Sequence, residues 1–361
     1  KIMAYSSIAK PTDYFNTVLY TGDGTSNRNI TGFGFQPDWL WQKATNQTFN
    51  HYLFDSVRGN SSVIKSNVSD AQDTSTTGFN GFISDGFNVS QVTGWEMNNS
   101  SLSVEYANWC WRGAGSTASN GDGATASTVS VNSTAGFSIV SWTGTGSGTT
   151  IGHGLGAKPK IIFVKNRSSA KNWVVNVGEM VGADERSLYL NATDAIKNDA
   201  AADGGYTYNN TTTTFNTSGG SGGTQDDVNK SGDSIIAYCF AEVKGYSSFG
   251  NYTGNGNANG PFIYTGFKPA FLIMKPYSKV EEWTLLDNKR LGYNTDNNYV
   301  YPNQNYAEMT ADRLDILSNG FKLRSATGEL NTSTANMIYM AFAENPFVAN
   351  DSGTAVPTTA R

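Results

Sequence analysis

Charge is scarce in this chain: only 15% of its 361 residues are Asp, Glu, Lys or Arg, where a soluble domain averages about a quarter. The net charge of −5 leaves no basic face to neutralise phosphates, so a nucleic-acid partner is not expected. Histidine is rarer still, with His51 and His153 alone. No run of 18 apolar residues exists, which excludes a spanning helix, and membrane insertion is not expected. The first residues, KIMAYSSIAKPTDYF, lack the charged-then-apolar pattern of a secretion leader. There is no HExxH and no paired-cysteine metal spacing. Neither a cofactor nor a metal is therefore expected, and no catalytic residue is assigned.

What is present is repetition. An aromatic-Thr-Gly-x-Gly opening occurs at Tyr20, Trp142 and Tyr252. Its first Gly (Gly22, Gly144, Gly254) is followed 15 residues later by Pro37, Pro159 and Pro269. Around those prolines stand GFQPDWLWQK, GAKPKIIFVK and GFKPAFLIMK. Fourteen residues beyond each Pro come His51, Trp173 and Trp283. A copy of more than 100 residues is too long for a solenoid unit. The reading is thus an all-β chain of three tandem homologous β-sandwich (jelly-roll-like) domains, at 1–115, 133–243 and 244–348. Residues 116–132 read as a Gly/Ser/Thr-rich linker able to flex, and 349–361 as an extended tail. Copies two and three abut, so they are expected to pack as a rigid pair.

β-branched and aromatic runs bounded by Gly, Asn and Ser give strands throughout. Two stretches, Asp194 to Ala202 and Ala307 to Leu317, read as helical. Cys110 and Cys239 hold equivalent places, with Ala341 in the third copy, so free buried thiols are expected rather than a disulfide. Lys43, Lys165 and Lys275 close the apolar strands and read as edge lysines that oppose aggregation. His51, where the other copies have Trp, reads as a packed ring. Asp55 and Asp287 are equivalent residues expected to hold a backbone turn. The Asp226-Asp227 pair reads as a solvated loop with too few spaced oxygens for calcium.

Tyrosines set among Asn and Gly are the remaining recognition signal. Tyr206 and Tyr208 in copy two, and Tyr293, Tyr299, Tyr301 and Tyr306 in copy three, have the composition of adaptable binding loops. They are the ligand-binding candidates, with sugar rings or neighbouring subunits as the matching surfaces.

ITGFGFQPDWLWQK, HYLFDSVRG and IGHGLGAKPKIIFVKNRSSAKNW resemble a repeat domain of marine bacteriophage proteins, structural and tail-fibre-like. The recurrent motif there is HGLG-x-x-P, an aliphatic strand, Lys-Asn-Arg and a later Trp. Copy one has GFGF at that motif and copy three lacks its histidine, so His153 is not a fixed functional residue. The resemblance implies a non-enzymatic virion surface protein, either a capsid decoration or a fibre or knob. Its partners would be other virion proteins, copies of itself and, for a fibre, host-surface carbohydrate. Two other classes stay open. A tail-associated glycan depolymerase would need two facing carboxylates from among Asp55, Asp287, Glu281 and Glu282. A surface-layer or filament subunit would polymerise through its tandem domains.

Overall fold

The computed structural model describes residues 6–346, apart from 76–77, 93–96, 102, 184–185, 199–205, 220–224, 291–293, 295 and 327. Three large antiparallel sheets share one strand order. An opening strand (Phe15–Thr21, Phe137–Thr143, Ser247–Thr253) pairs with a closing strand (Glu105–Trp111, Ser234–Phe240, Asn336–Pro346). The closing strand pairs in turn with the apolar strand after the proline (Trp39–Ala44, Ile161–Asn166, Phe267–Pro276). Next comes the strand beside the ring position (Tyr52–Asp55, Trp173–Asn176, Thr284–Asp287). A three-stranded sheet covers each large one: Arg28–Thr31, Gly86–Val89 and Phe79–Ile83 in the first sandwich. Thr149–Gly152, Thr214–Thr217 and Thr207–Tyr208 do so in the second, and Phe262–Tyr264, Gly320–Leu323 and Leu314–Leu317 in the third. The fold is an all-β sandwich architecture.

The closing strands explain why the sequence there is apolar at consecutive positions. Side chains alternate across a strand, and here both faces are covered. Tyr106 and Cys110 enter the first sandwich's own core, as Cys239 and Ala341 enter the second and third. The alternate residues Trp109 and Trp111, Tyr238 and Phe240, and Met340 and Phe342 all enter a fourth, central cluster. Both cysteines are free and buried, in different sandwiches.

That central cluster joins all three large sheets. Trp111, Phe240 and Phe342 meet one another there, with ring centroids 6.2, 5.6 and 5.7 Å apart. Phe15 and Phe137, which begin their opening strands, and Phe249, two residues further along its own, pack beside them at 4.9, 4.8 and 5.8 Å. Each such aromatic contributes about 1.5–3 kcal/mol by burial alone. The expected rigid pair is thus a closed set of three, because the first large sheet supplies Trp39, Trp41, Trp109 and Trp111 to the same core.

The opening motif has a local cause. Its loop wraps the side chain of a buried Asn (Asn98, Asn229, Asn331). The Asn carbonyl oxygen accepts from the backbone N–H of Asp23, Thr145 and Asn255, at 3.1, 3.0 and 2.9 Å. The Asn amide donates to the carbonyls of Thr25, Ser147 and Asn257. A Cβ on Gly22, Gly144 or Gly254 would stand 2.2, 2.1 or 2.3 Å from a backbone carbonyl oxygen, so only Gly fits.

Three expectations are corrected. The segment read as a flexible linker carries Ala118–Asn120 and Ser127–Asn132, which extend the second large sheet beyond its opening strand. Asp38 anchors its start by accepting from the Gly113 and Gly115 N–H groups, and Thr125 bridges to Ile151 on the small sheet. Alternating Thr-Val-Ser-Val-Asn was strand text inside a polar composition. The stretches read as helical hold strands instead, Lys197–Asn198, Met309–Ala311 and Leu314–Leu317; residues 199–202 lie outside the described set. Sheet pairing there overrides helix propensity. Finally, Lys43, Lys165 and Lys275 are fully buried and sit at junctions between sheets, not at exposed edges. Their terminal amines find backbone carbonyls, which removes the need for solvent.

Candidate functional site

The polar groups that the sequence singles out converge on the three junctions between sandwiches. At each junction the ring residue reaches a carbonyl of the neighbouring sandwich. Trp173 donates to Lys65 and Trp283 to Tyr189, both at 2.8 Å. His51 stands 3.1 Å from the Tyr301 carbonyl through Nε2, while its Nδ1 accepts from the Trp41 indole at 2.9 Å. That pairing fixes the neutral Nε2–H tautomer, and burial holds the ring's pKa well below the ordinary histidine value. Trp41 compensates for the smaller ring; its counterparts beside Trp173 and Trp283 are Phe163 and Ile273.

Each buried lysine follows the same rule. Lys43 donates to the Asn305 carbonyl, Lys165 to Ser69 and Lys275 to Thr193. Burial pushes the Lys165 and Lys275 amines down to about 8. A third contact runs the other way: the N–H groups of Glu308, Gln72 and Ile196 donate to the carbonyls of Thr45, Arg167 and Tyr277. In all three sets sandwich one contacts three, two contacts one, and three contacts two. Each junction is heterologous, and the rotation closes after three.

Carboxylates divide the junctions. Asp55 Oδ1 accepts from the N–H groups of Val57 and Arg58, and Asp287 Oδ1 from those of Lys289 and Arg290. Both therefore hold a turn, and both do more. Asp55 Oδ2 binds the Arg58 guanidinium and the Tyr238 hydroxyl of the second sandwich, the latter at 2.6 Å. Asp287 Oδ2 binds Arg290 at 2.7 Å and the Trp109 indole of the first sandwich at 3.1 Å. In the second sandwich the two corresponding places hold Val177 and Met180, and the facing residue is Met340; all three lie in the central cluster. Of the carboxylates nominated for hydrolysis, Asp55 and Asp287 are accordingly buried inside ion pairs, and the half-buried Glu282 is engaged by Asn303 and Gln304.

The tyrosine candidates do not form one surface. Tyr299 and Tyr301 are buried in the third sandwich; their hydroxyls bond Arg313 at 2.6 Å and Glu329 at 2.5 Å. Tyr206 is buried in the second, its hydroxyl against that of Tyr189. These three are corrected from loop ligands to core residues: Tyr299 stands on the strand Asn297–Val300, and Tyr206 and Tyr301 flank strand ends where the sandwich core takes the ring. Tyr306 is 50% exposed. Tyr208 lies in the short strand Thr207–Tyr208, and Tyr293 is outside the described residues. His153 is buried and within reach of the Thr211 carbonyl. Asp226 pairs with Lys171. Among the described residues no group of three His, Cys, Asp or Glu could hold a metal ion, and no helix is long and apolar enough to cross a membrane.

One set of residues escaped the sequence reading. Asn67, Asn191 and Asn303 accept from the backbone N–H of His51, Trp173 and Trp283, at 3.1, 2.8 and 3.1 Å. Each lies two residues after the junction carbonyl of Lys65, Tyr189 or Tyr301. The only trace in the sequence is an Asn inside KSNVS, YLNAT and YPNQN, 16, 18 and 20 residues after the ring residue.

A family model matches the chain over residues 10–346. The chain belongs to that family, Domain of unknown function (DUF7483). The match runs from just before the first opening strand into the last closing strand, so the DUF7483 unit comprises all three sandwiches and their shared core. No curated protein and no solved structure matches the chain.

Proposed function

We propose that this DUF7483 chain is a non-enzymatic structural protein of a bacteriophage virion surface, built from three copies of one sandwich unit fused into a closed ring. The observation that carries the reading is where the reactive side chains go. His51, Asp55, Asp287 and the three junction lysines are spent on holding sandwich to sandwich. A particle component that must keep its shape outside a cell gains from such closure. The phage assignment itself rests on the resemblance of the proline-centred motifs. Its partners are other virion proteins, and the polar Asn-, Ser- and Thr-rich outer loops are the surfaces offered to them.

Immunogold labelling of purified particles with an antibody to this chain tests the proposal. Gold spread evenly over heads assigns a decoration protein, and gold at tail or fibre tips a host-contact role. Unlabelled particles, or release of reducing sugar from host polysaccharide by the purified chain, would overturn it.

A further inference from the structure

Phe262 and Tyr264 are 45% and 56% exposed on the first strand of the third sandwich's small sheet, Phe262–Tyr264. Side chains alternate across a strand, so both point outward, about 7 Å apart along it, while Ile263 between them enters the core. The floor beside them is flat for a steric reason. Tyr264 faces Gly320 on the neighbouring strand. A Cβ on Gly320 would stand 2.0 Å from the Ile263 carbonyl oxygen, so no side chain can rise there. The same Cβ would lie 3.1 Å from Cε2 of Phe262: that ring reaches over the bare glycine that faces Tyr264.

The other two sandwiches keep this register with other residues in both places. Ile30 faces Phe87 and Ile151 faces Phe215, as Ile263 faces Phe321. Asn29 and Thr31, or Thr150 and Gly152, therefore stand where sandwich three has Phe262 and Tyr264. Asn88 donates to Asn29 and Asn80 to Asn88 across the first small sheet. In the second, Ala124 N–H donates to the Thr150 hydroxyl and the Ser127 hydroxyl to the Gly152 carbonyl. Those two faces are occupied by the chain's own hydrogen bonds, whereas the third presents two rings.

We propose that Phe262 and Tyr264 form a stacking platform for a glycan chain. The negative faces of aromatic rings attract the polarised C–H bonds of a sugar ring, and an outward strand pair offers two such faces in a row. A protein partner fits this surface poorly. At 45% and 56% exposure the pair offers about 200 Å² of side-chain surface, against the roughly 800 Å² that each side of a stable protein interface buries. Lys322 lies opposite Phe262, and Asp315 opposite Lys322, and such charged groups are depleted from interface cores. Strand addition by a second copy is opposed by the strand's length of three residues and by Pro261 just before it. Lys322 donates to the Gly260 carbonyl and Asp315 is paired with Arg324, so stacking rather than charge supplies the attraction. Such a platform works wherever the protein resides, and it does not depend on the virion assignment.

Saturation-transfer NMR on the intact chain tests it, with cellohexaose, maltohexaose, mannohexaose and chitohexaose as probes. At least one is expected to receive saturation, chiefly at the C–H protons of one sugar face, with little change when salt is raised. Phe262→Asn and Tyr264→Thr, the residues that sandwich one carries in these places, should each weaken binding about tenfold or more. Tyr264→Phe, which keeps the ring, should bind within about threefold of the wild type. An unchanged urea midpoint verifies that each variant folds. No transfer to any of the four probes, binding lost when salt is raised, or equal binding by the double variant Phe262→Asn, Tyr264→Thr would overturn the proposal. A dimer in size-exclusion chromatography that the double variant disperses would overturn it too, because the rings would then serve a second copy of the chain.

Discussion

The three junctions offer a natural exchange experiment, because two are ionic and one is apolar. Consider Asp55→Val alone. It leaves the Arg58 guanidinium, with 0% of its side chain exposed, without its counter-ion, and the Tyr238 hydroxyl without its acceptor. Breaking a buried pair from one side costs about 3–5 kcal/mol. Arg58→Met strands the carboxylate in the same way at a similar cost, and Tyr238→Met removes one hydrogen bond to a charged group together with ring packing on Trp39, 4.4 Å away, about 2–4 kcal/mol. Added independently, the three would exceed about 8 kcal/mol, more than half of the roughly 5–15 kcal/mol that holds a typical domain folded. The triple variant Asp55→Val, Arg58→Met, Tyr238→Met instead reproduces Val177, Met180 and Met340, which this chain already uses at its other junction. Replacing a buried ionic triad with packed apolar groups is neutral or stabilising in comparable cases, so a net change within about 2 kcal/mol is expected. Equilibrium urea unfolding of the wild type, three singles and the triple reads this as midpoint shifts at constant slope. Additive losses in the triple would refute the claim that these residues act as one interchangeable unit.

Further outcomes follow from the same geometry. Trp41→Phe with His51→Trp, the pairing already found at Phe163 and Trp173, should keep stability near neutral pH. It should also remove about one proton from the uptake on unfolding below pH 6.5: folded His51 stays neutral there while the unfolded chain protonates, so stability is lost as pH falls. His153, lowered by burial as well, and the shifted carboxylates keep the remaining acid dependence; an unaltered slope in the double variant would count against the assignment. On the alkaline side Lys165 and Lys275 release protons near 8 when folded but near 10.5 when unfolded. Stability should therefore rise between these values, by at most about 3 kcal/mol per lysine. It should then fall above pH 10, where burial keeps Tyr20, Tyr238 and Tyr252 protonated in the fold alone; urea midpoints from pH 7 to 11 check both limbs. Gly144→Ala should cost about 3 kcal/mol or more through its clash with the Lys230 carbonyl, whereas Gly121→Ala, with open space around its Cβ, should stay within about 0.5 kcal/mol. Equal midpoints for these two would remove the steric account of the opening motif.

Much of the scaffold was legible because the spacing from Gly22 to Pro37 to His51 is undisturbed in the other copies. Within that span each residue's place in the sheet is fixed by the turn before it. Legibility failed where copies differ in length: Lys65 lies 14 residues after His51, Tyr189 16 after Trp173, and Tyr301 18 after Trp283. Beyond those insertions the register resumes, but the recurring element is a backbone carbonyl followed by one Asn, and a carbonyl leaves no trace in side-chain text. The buried lysines were misread for a related reason. Lys43, Lys165 and Lys275 stand at the ends of apolar strands, where solvent is the usual destination, and only the neighbouring sandwich supplies the carbonyls that allow burial.

The difference between junctions also bears on how three similar sandwiches close in one order. Were all three faces apolar, the closing strand of any sandwich could seat against the turn of any other with little change in energy. With Asp55 and Asp287 in place, seating Met340 against either would leave a buried carboxylate short of one donor, a penalty of about 1.5–3 kcal/mol. Seating Tyr238 or Trp109 against Val177 would bury a hydroxyl or indole N–H without an acceptor, at a comparable cost. Seating Tyr238 against Asp287 would keep a donor on the carboxylate, but a cyclic exchange of neighbours incurs the other two penalties. The ion pairs add little net stability over an apolar contact, so their contribution lies in choosing which sandwich meets which. On this argument the triple variant that preserves stability should lose selectivity. Refolding from urea should then yield a larger fraction of misassembled or oligomeric chain, read by size-exclusion chromatography, and a yield of monomer equal to that of the wild type would show that the order of closure is set by chain connectivity instead.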